Sequence, residues 1–508
     1  MDQTPPILHG PSDKEKKYDR QLRLWAAEGQ QALEDAHILL VNSGCGTVGV
    51  ETLKNLVLPG IGHFTIADSA TVNEADLGVN FFLDEDCLGK SRAECCVKLL
   101  LELNPDNDDI RKLLGSEKQY TLVIYSLPID PADLALVKKY GEEHKVPLLS
   151  VHSAGFYSYF RLHLPGNFPI VDTHPESTST TDLRLLKPWP ELSKFADDLT
   201  NDIENLSAHE HGHVPYIALL LHYLRKWKES HGEYPSTYKD KKAFAAFVAA
   251  GARTDSPEGG EENYDEAVAA VLKTISTPTL PGALEEVFDY KPDEIEAGTT
   301  FWIIADAVKQ FYMKHNELPL PGSVPDMKAQ STVYVKLQNL YKAKARQDVA
   351  EVDEMVRTHS KGREIDAVEV ETFCKNAAFI KLIRASSTPM DLQKLSNSEF
   401  ENEQFALSPS LLPIYLALDA TSHTPYASSS DIIATIDKTI PEASSNTRIV
   451  QAAEEVARAK GGELQNISAL TGGMVSQEVI KIITKQYIPI NNTCIFDGIA
   501  SRTQVLCL

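Results

Sequence analysis

Three glycines and one acid in this chain have the spacing of a phosphate cradle with a ribose acceptor. The run Gly44-Cys45-Gly46-Thr47-Val48-Gly49 follows an apolar stretch, Ile38-Leu39-Leu40-Val41, and opens an amphipathic one, Val50 to Leu58. Gly44 permits a tight turn, Gly46 lets backbone N–H groups approach an anion, and Gly49 lets a helix lie close to a strand. The helix N-terminus adds unpaired donors and a partial positive charge. A second apolar run, Phe64-Thr65-Ile66-Ala67, ends on Asp68, where a carboxylate can accept hydrogen bonds from a ribose. These residues point to nucleotide binding. An NAD-dependent oxidoreductase using the Gly44-Gly46-Gly49 loop and Asp68 is one open reading; glycines kept for packing around an empty site is another.

Two other patterns are weaker. His209-Glu210-His211-Gly212-His213 satisfies H-E-x-x-H, but a zinc protease needs both histidines on one helical face. Gly212 lies inside the motif and Pro215 pushes Val214 out of the helical region. The motif therefore belongs to the entry of a helix, and no metal site is expected. The seven cysteines are Cys45, Cys87, Cys95, Cys96, Cys374, Cys494 and Cys507, with no C-x-x-C pair. None lies where exposure and a lowered pKa would activate a thiol, so all are expected to be structural.

The elements that must position the loop follow from periodicity. Tyr18 to Ala36 reads as a helix, 37–42 and 62–67 as strands, about 89–103 as a helix and 122–125 as a strand. A helix over 131–144, a strand over 147–151 and an antiparallel strand over 155–164 follow. Residues 166–190, rich in Pro, Ser and Thr, read as a linker. Helices dominate from there to about 440, among them 215–228, 241–250, 264–275, 301–315, 333–359, 369–384 and 411–420. The stretches 255–263 and 422–431 read as surface loops. The last 60 or so residues (from about 446) give helices over 447–459 and 466–485, the second interrupted at Gly472-Gly473. Strands at 493–496 and 503–506 flank a turn at Asp497-Gly498. The expected fold is α/β: a discontinuous Rossmann-like doubly wound half, 1–165 plus 446–508, with a mostly helical insertion over 166–445.

At 508 residues and 43% apolar content the chain can hold several packed domains. Its net charge of −23 opposes a nucleic-acid surface. No signal peptide is expected at the polar N-terminus, and no apolar run has membrane length. A cytoplasmic or nuclear setting is expected.

Three segments together resemble the ubiquitin-like-modifier-activating enzymes, whose adenylation halves share the ThiF/MoeB-like fold. They are Lys17-Tyr18-Asp19-Arg20-Gln21-Leu22-Arg23-Leu24-Trp25, the glycine loop with Asn55-Leu56-Val57-Leu58-Pro59-Gly60-Ile61-Gly62, and Ile467 to Gln486 with Pro489 and Asn491-Asn492-Thr493. Asp182-Leu183-Arg184-Leu185, Lys187-Pro188 and Tyr334 to Asn339 match between them, so the resemblance spans nearly the whole chain. It is strongest to the regulatory, non-cysteine halves of the heterodimeric neddylation-activating enzymes.

The resemblance implies a division of labour. One half binds ATP and Mg, adenylates the modifier's C-terminal glycine and passes the acyl group to a cysteine; the other half buttresses it and helps hold the modifier. Active halves carry a second acid where this chain has Ala70. They carry an arginine where it has Val79, within Gly78-Val79-Asn80, and a metal-binding aspartate in the stretch that here reads Tyr125-Ser126-Leu127-Pro128. Lys90 matches the active pattern. A triphosphate would go unpaired without the arginine and the metal acid. Gly44, Gly46, Gly49, Asp68 and Lys90 are therefore expected to form a vestigial site, with ATP and Mg in the catalytic partner subunit. The resemblance assigns Arg20 a trans role, reaching across the interface to the partner's ATP. The plain alternative is that Arg20 pairs with Asp19 or Glu28 on a solvated helix. A self-sufficient adenylating enzyme is the remaining alternative, opposed by Val79 and the missing metal acid.

Overall fold

The computed structural model describes residues 12–104, 119–175, 182–253, 260–276, 279–384, 391–401 and 408–508. Two compact units form, one from residues 1–170 and 383–508, the other from Val171–Leu382.

In the first unit, helix α1 (Asp19–Asp35) leads into strand β1 (His37–Val41), helix α2 (Thr47–Val57), strand β2 (His63–Ala67) and helix α3 (Arg92–Leu103). Strand β3 (Leu122–Leu127), helix α4 (Pro131–His144) and strands β4 (Leu148–Ala154), β5 (Tyr157–His163) and β6 (Asn167–Val171) follow. β1 has the continuous apolar character of a strand covered on both faces, and Ile38 and Leu40 are fully buried.

The second unit is helical. Its main elements are α5 (Tyr216–His231), α6 (Tyr238–Ala249), α7 (Glu262–Thr274), α8 (Thr300–His315), α9 (Ser331–Thr358) and α10 (Ala367–Lys375), before strand β7 (Ile380–Arg384). One core gathers Leu219, Leu220, Phe244, Tyr264, Leu337 and Tyr341; a second gathers Trp302, Ile304, Val308, Val352, Phe373 and Cys374. The stretch containing Asp182 and Arg184 is tied into this unit: Arg184 donates to Asp182 at 2.7 Å, and the Tyr341 hydroxyl donates to the Leu183 carbonyl at 2.7 Å.

Back in the first unit come α11 (Leu412–Asp419), α12 (Ser429–Asp437), α13 (Thr447–Ala459), α14 (Gln465–Thr484), β8 (Thr493–Asp497) and β9 (Arg502–Leu506). The seven-stranded sheet has the order β2-β1-β3-β4-β5-β8-β9. The first four strands are parallel; β5, β8 and β9 continue antiparallel from β4. Strands from the two ends of the chain thus complete one discontinuous sheet. Among the described residues no helix is long and apolar enough to cross a membrane.

Several expected boundaries are corrected. The helical insertion does not run over 166–445. Its compact unit ends at Leu382, because Leu412, Ile414, Leu416 and Leu418 are buried with Tyr159 and Ile495 in a core of the first unit. The linker begins with a strand, β6, and the helix expected over 369–384 stops at Lys375 before β7. In the predicted loop 255–263, residues 254–259 lie outside the described residues, while Glu261 and Asn263 are buried. α14 runs unbroken through Gly472-Gly473. Gly472 is required there by a close approach: a Cβ would lie 2.8 Å from the Glu51 carbonyl carbon and the Thr52 nitrogen of α2.

Candidate functional site

The glycine loop turns as its sequence predicts. Gly44 and Gly46 have φ of +60° and +69°, and Gly46 precedes the first turn of α2. The surroundings differ from an open phosphate cradle. A Cβ on Gly44 would lie 2.8 Å from the Pro128 ring, one on Gly46 would collide with Asn42, and one on Gly49 would meet Asn42 and Leu40. The Ser43 N–H donates to Ser126 Oγ at 2.7 Å, and Ser126 Oγ donates to Asn42 Oδ1 at 3.2 Å. The stretch that lacks the metal acid therefore packs onto the loop.

Asp68 is fully engaged within the chain. The Arg92 guanidinium grips it through Nε to Oδ2 at 2.7 Å and Nη2 to Oδ1 at 3.1 Å. Asn42 Nδ2 donates to Oδ2 at 2.9 Å and the Ala70 N–H to Oδ1 at 3.0 Å. Arg92 also donates to the carbonyls of Gly44 and Cys45 at 3.0 and 2.9 Å, and to Asp76 at 3.3 Å. Both partners are buried. This forked, charge-assisted arrangement locks the loop to the acid. A ribose would have to displace it, which removes the premise of the oxidoreductase reading.

The anion-binding end of α2 is also filled. Glu463, buried, accepts the Val48 N–H at 2.8 Å and the Ser468 hydroxyl at 2.5 Å. Its carboxylate uses a donor that a phosphate would need. Burial raises its pKa to about 7 against the opposing pull of these donors and of Arg92.

Lys90 lies on the exposed turn before α3, Val79 is half-buried, and Asn80 accepts the Phe82 N–H at 3.0 Å. Arg20 lies on the exposed face of α1. Asp19 pairs with Arg23 instead, at 2.9 Å, and among the described residues the Arg20 side chain has neither a hydrogen bond nor an ion pair.

In the second unit, His209 and His211 sit in a one-turn helix, Ala208–His211, that ends at Gly212. His211 is held at 2.7 Å by Glu261 and at 3.2 Å by the Tyr264 hydroxyl, while His213 bonds the His209 carbonyl at 2.6 Å. Among the described residues no group of three or more His, Cys, Asp or Glu side chains could hold a metal ion. Burial pushes Cys45 and Cys494 up to about 11, and Cys96 and Cys374 up to about 12. These four are thiols, not thiolates, at neutral pH.

The ThiF family matches residues 18–508. A NEDD8-activating enzyme E1 regulatory subunit of Drosophila melanogaster is 35% identical, covering 98% of this chain and 98% of that protein. Those of Xenopus laevis and Danio rerio are 33% and 32% identical, covering 96% and 97% of this chain and 97% and 98% of theirs. The chain belongs to the ThiF family, among the NEDD8-activating enzyme E1 regulatory subunits.

Two residues of this ThiF-family site were missed in the sequence. Arg92 opens α3, where a cation opposes the helix dipole and an acid is favoured. That mismatch was a usable signal of a buried anionic partner. Glu463 gives no local signal, since an acid after Gly461-Gly462 reads as an ordinary helix entry.

Proposed function

We propose that this chain is the supporting half of a two-chain activating enzyme for a ubiquitin-like modifier, NEDD8 by the names of its relatives. The partner subunit holds ATP and Mg and carries the cysteine. There the modifier's terminal carboxylate displaces pyrophosphate from ATP to give an acyl-adenylate, and a thiolate then displaces AMP. This chain contributes a rigid α/β scaffold, a surface for the modifier, and Arg20. The Arg20 guanidinium, permanently charged and multidentate, stabilises charge developing on the partner's nucleotide.

The observation that carries this reading is the closed glycine loop. Arg92 satisfies Asp68, and Glu463 satisfies the end of α2, so the loop keeps its turn while its donors and acceptor serve the chain itself. Val79 stands in place of a cation, and the Arg92 guanidinium at the loop is already engaged by Asp68 and Asp76, so neither counters a triphosphate. Gly44, Gly46 and Gly49 are retained for geometry, and Lys90 is a remnant.

ATP–pyrophosphate exchange tests the reading. The chain alone should show no exchange with modifier, and no micromolar binding of ATP or NAD by calorimetry. Adding the catalytic partner should restore exchange. Turnover by the isolated chain would favour the self-sufficient adenylating enzyme.

A further inference from the structure

The segment carrying Arg20 is anchored at both ends, and the second anchor is unusual. At one end Tyr18 is buried, and Asn104 Nδ2 donates to its hydroxyl at 3.2 Å. At the other end α1 breaks sharply. Trp25 leaves helical geometry (φ −127°, ψ 17°), and Ala26 adopts φ 56°, ψ −177°. That region is favourable only for glycine, and a residue with a Cβ stays there only when its surroundings hold it. Such strain clusters where geometry serves function.

What holds the break is visible. The carbonyls of Leu24 and Trp25, at the break, accept hydrogen bonds from the chain just past the end of α14. Gln486 Nε2 donates to the Trp25 carbonyl at 3.1 Å, and the Tyr487 hydroxyl donates to the Leu24 carbonyl at 3.3 Å. The Trp25 indole N–H donates to Gln30 at 3.2 Å, and Gln30 in turn donates to the Pro59 carbonyl at 3.0 Å. Gly29 lies beneath, where a Cβ would come within 2.7 Å of the Trp25 Cβ. An uninterrupted helix needs none of these. Together they fix the angle at which the turn bearing Arg20 leaves the body of the unit.

Resting on the trans role of Arg20, we infer that Gln486 and Tyr487 are positioning residues for it. They cap the two carbonyls at the Trp25–Ala26 break and so aim the Arg20 guanidinium at the partner's nucleotide. A flexible arginine on a continuous helix would reach the same volume only part of the time, and loss of orientation is expensive in rate. The substrate side of this interaction is a phosphate oxygen carrying developing charge, the natural match for a guanidinium.

The test uses the full heterodimer with ATP, radiolabelled pyrophosphate and the modifier. Gln486→Glu and Tyr487→Phe keep size and packing but remove the donors. The pair should lower exchange at saturating substrates about tenfold, with KM for the modifier and heterodimer elution unchanged. Ala26→Val, on an exposed position, should act in the same direction without touching either donor. Each loss should disappear in an Arg20→Ala background, because the effect travels through that side chain. Wild-type exchange by Gln486→Glu/Tyr487→Phe beside a slow Arg20→Ala enzyme would overturn the positioning role and leave the Arg20 assignment standing. An equal loss in both backgrounds would also overturn it, exposing a general structural effect. A silent Arg20→Ala would remove the assignment itself and the inference with it.

Discussion

Glu463 accepts the backbone N–H of Val48 at 2.8 Å although 415 residues separate them in the chain. The residue that closes the front of the glycine loop is thus supplied from the far end of the sequence. On the other side, Arg92 closes the loop from 24 residues beyond Asp68. The glycine turn is thus held as a structural joint, by a buried carboxylate on one side and a buried guanidinium on the other.

Glu463 should leave a signature in stability against pH. Its pKa is about 7 in the folded state and 4.5 ordinarily, with burial the leading cause. Between those values the folded chain holds a proton that the unfolded chain has lost. The contribution of this group therefore falls as pH rises from 4.5 to 7 and is level above, a change of roughly 3 kcal/mol. Glu463→Gln keeps the acceptor for Val48 and cannot ionise. Urea unfolding at pH 5 and pH 8 should show the variant losing about that much less than the parent over the interval.

Arg92→Ala should be severely destabilising. It leaves the buried Asp68 carboxylate and the Gly44 and Cys45 carbonyls without their main donor. Breaking a buried pair from one side costs about 3–5 kcal/mol. Removing both charges, as Arg92→Met with Asp68→Asn, should recover part of that. The comparison is made by chemical denaturation of the two variants.

Gly472 and Gly473 should respond oppositely to alanine. A Cβ at Gly472 meets the α2 backbone at 2.8 Å, so α14 must shift, at about 1–3 kcal/mol. A Cβ at Gly473 meets nothing within 4 Å, and the helical backbone is compatible, so Gly473→Ala should stabilise by about 0.5–1 kcal/mol. Thermal unfolding of the two single variants reads both signs.

Arg20→Ala should leave folding and assembly intact, because the side chain is exposed and unpaired among the described residues. Exchange by the heterodimer should fall by about 10³-fold if the guanidinium acts as other trans arginines do. Arg20→Lys should restore only part, since an ammonium lacks the fork. Equal exchange by all three enzymes would dispose of the role.

Local patterning determined much of this protein. Apolar runs set β1 to β4, Pro131 and its Asp130 cap set the start of α4, and the glycine spacing set the loop, because these depend on neighbours a few residues away. That Val79 stands where a cation is expected came from the family resemblance and not from patterning. Only the tertiary structure decided that the loop is shut, that α14 runs straight through Gly472-Gly473, and that the helical unit ends at Leu382. Arg92, Glu463 and Gly472 act on partners reached by folding, across a sheet assembled from both ends of the chain. Periodicity records which face of an element is apolar; it carries no record of which distant charge or backbone that face will meet.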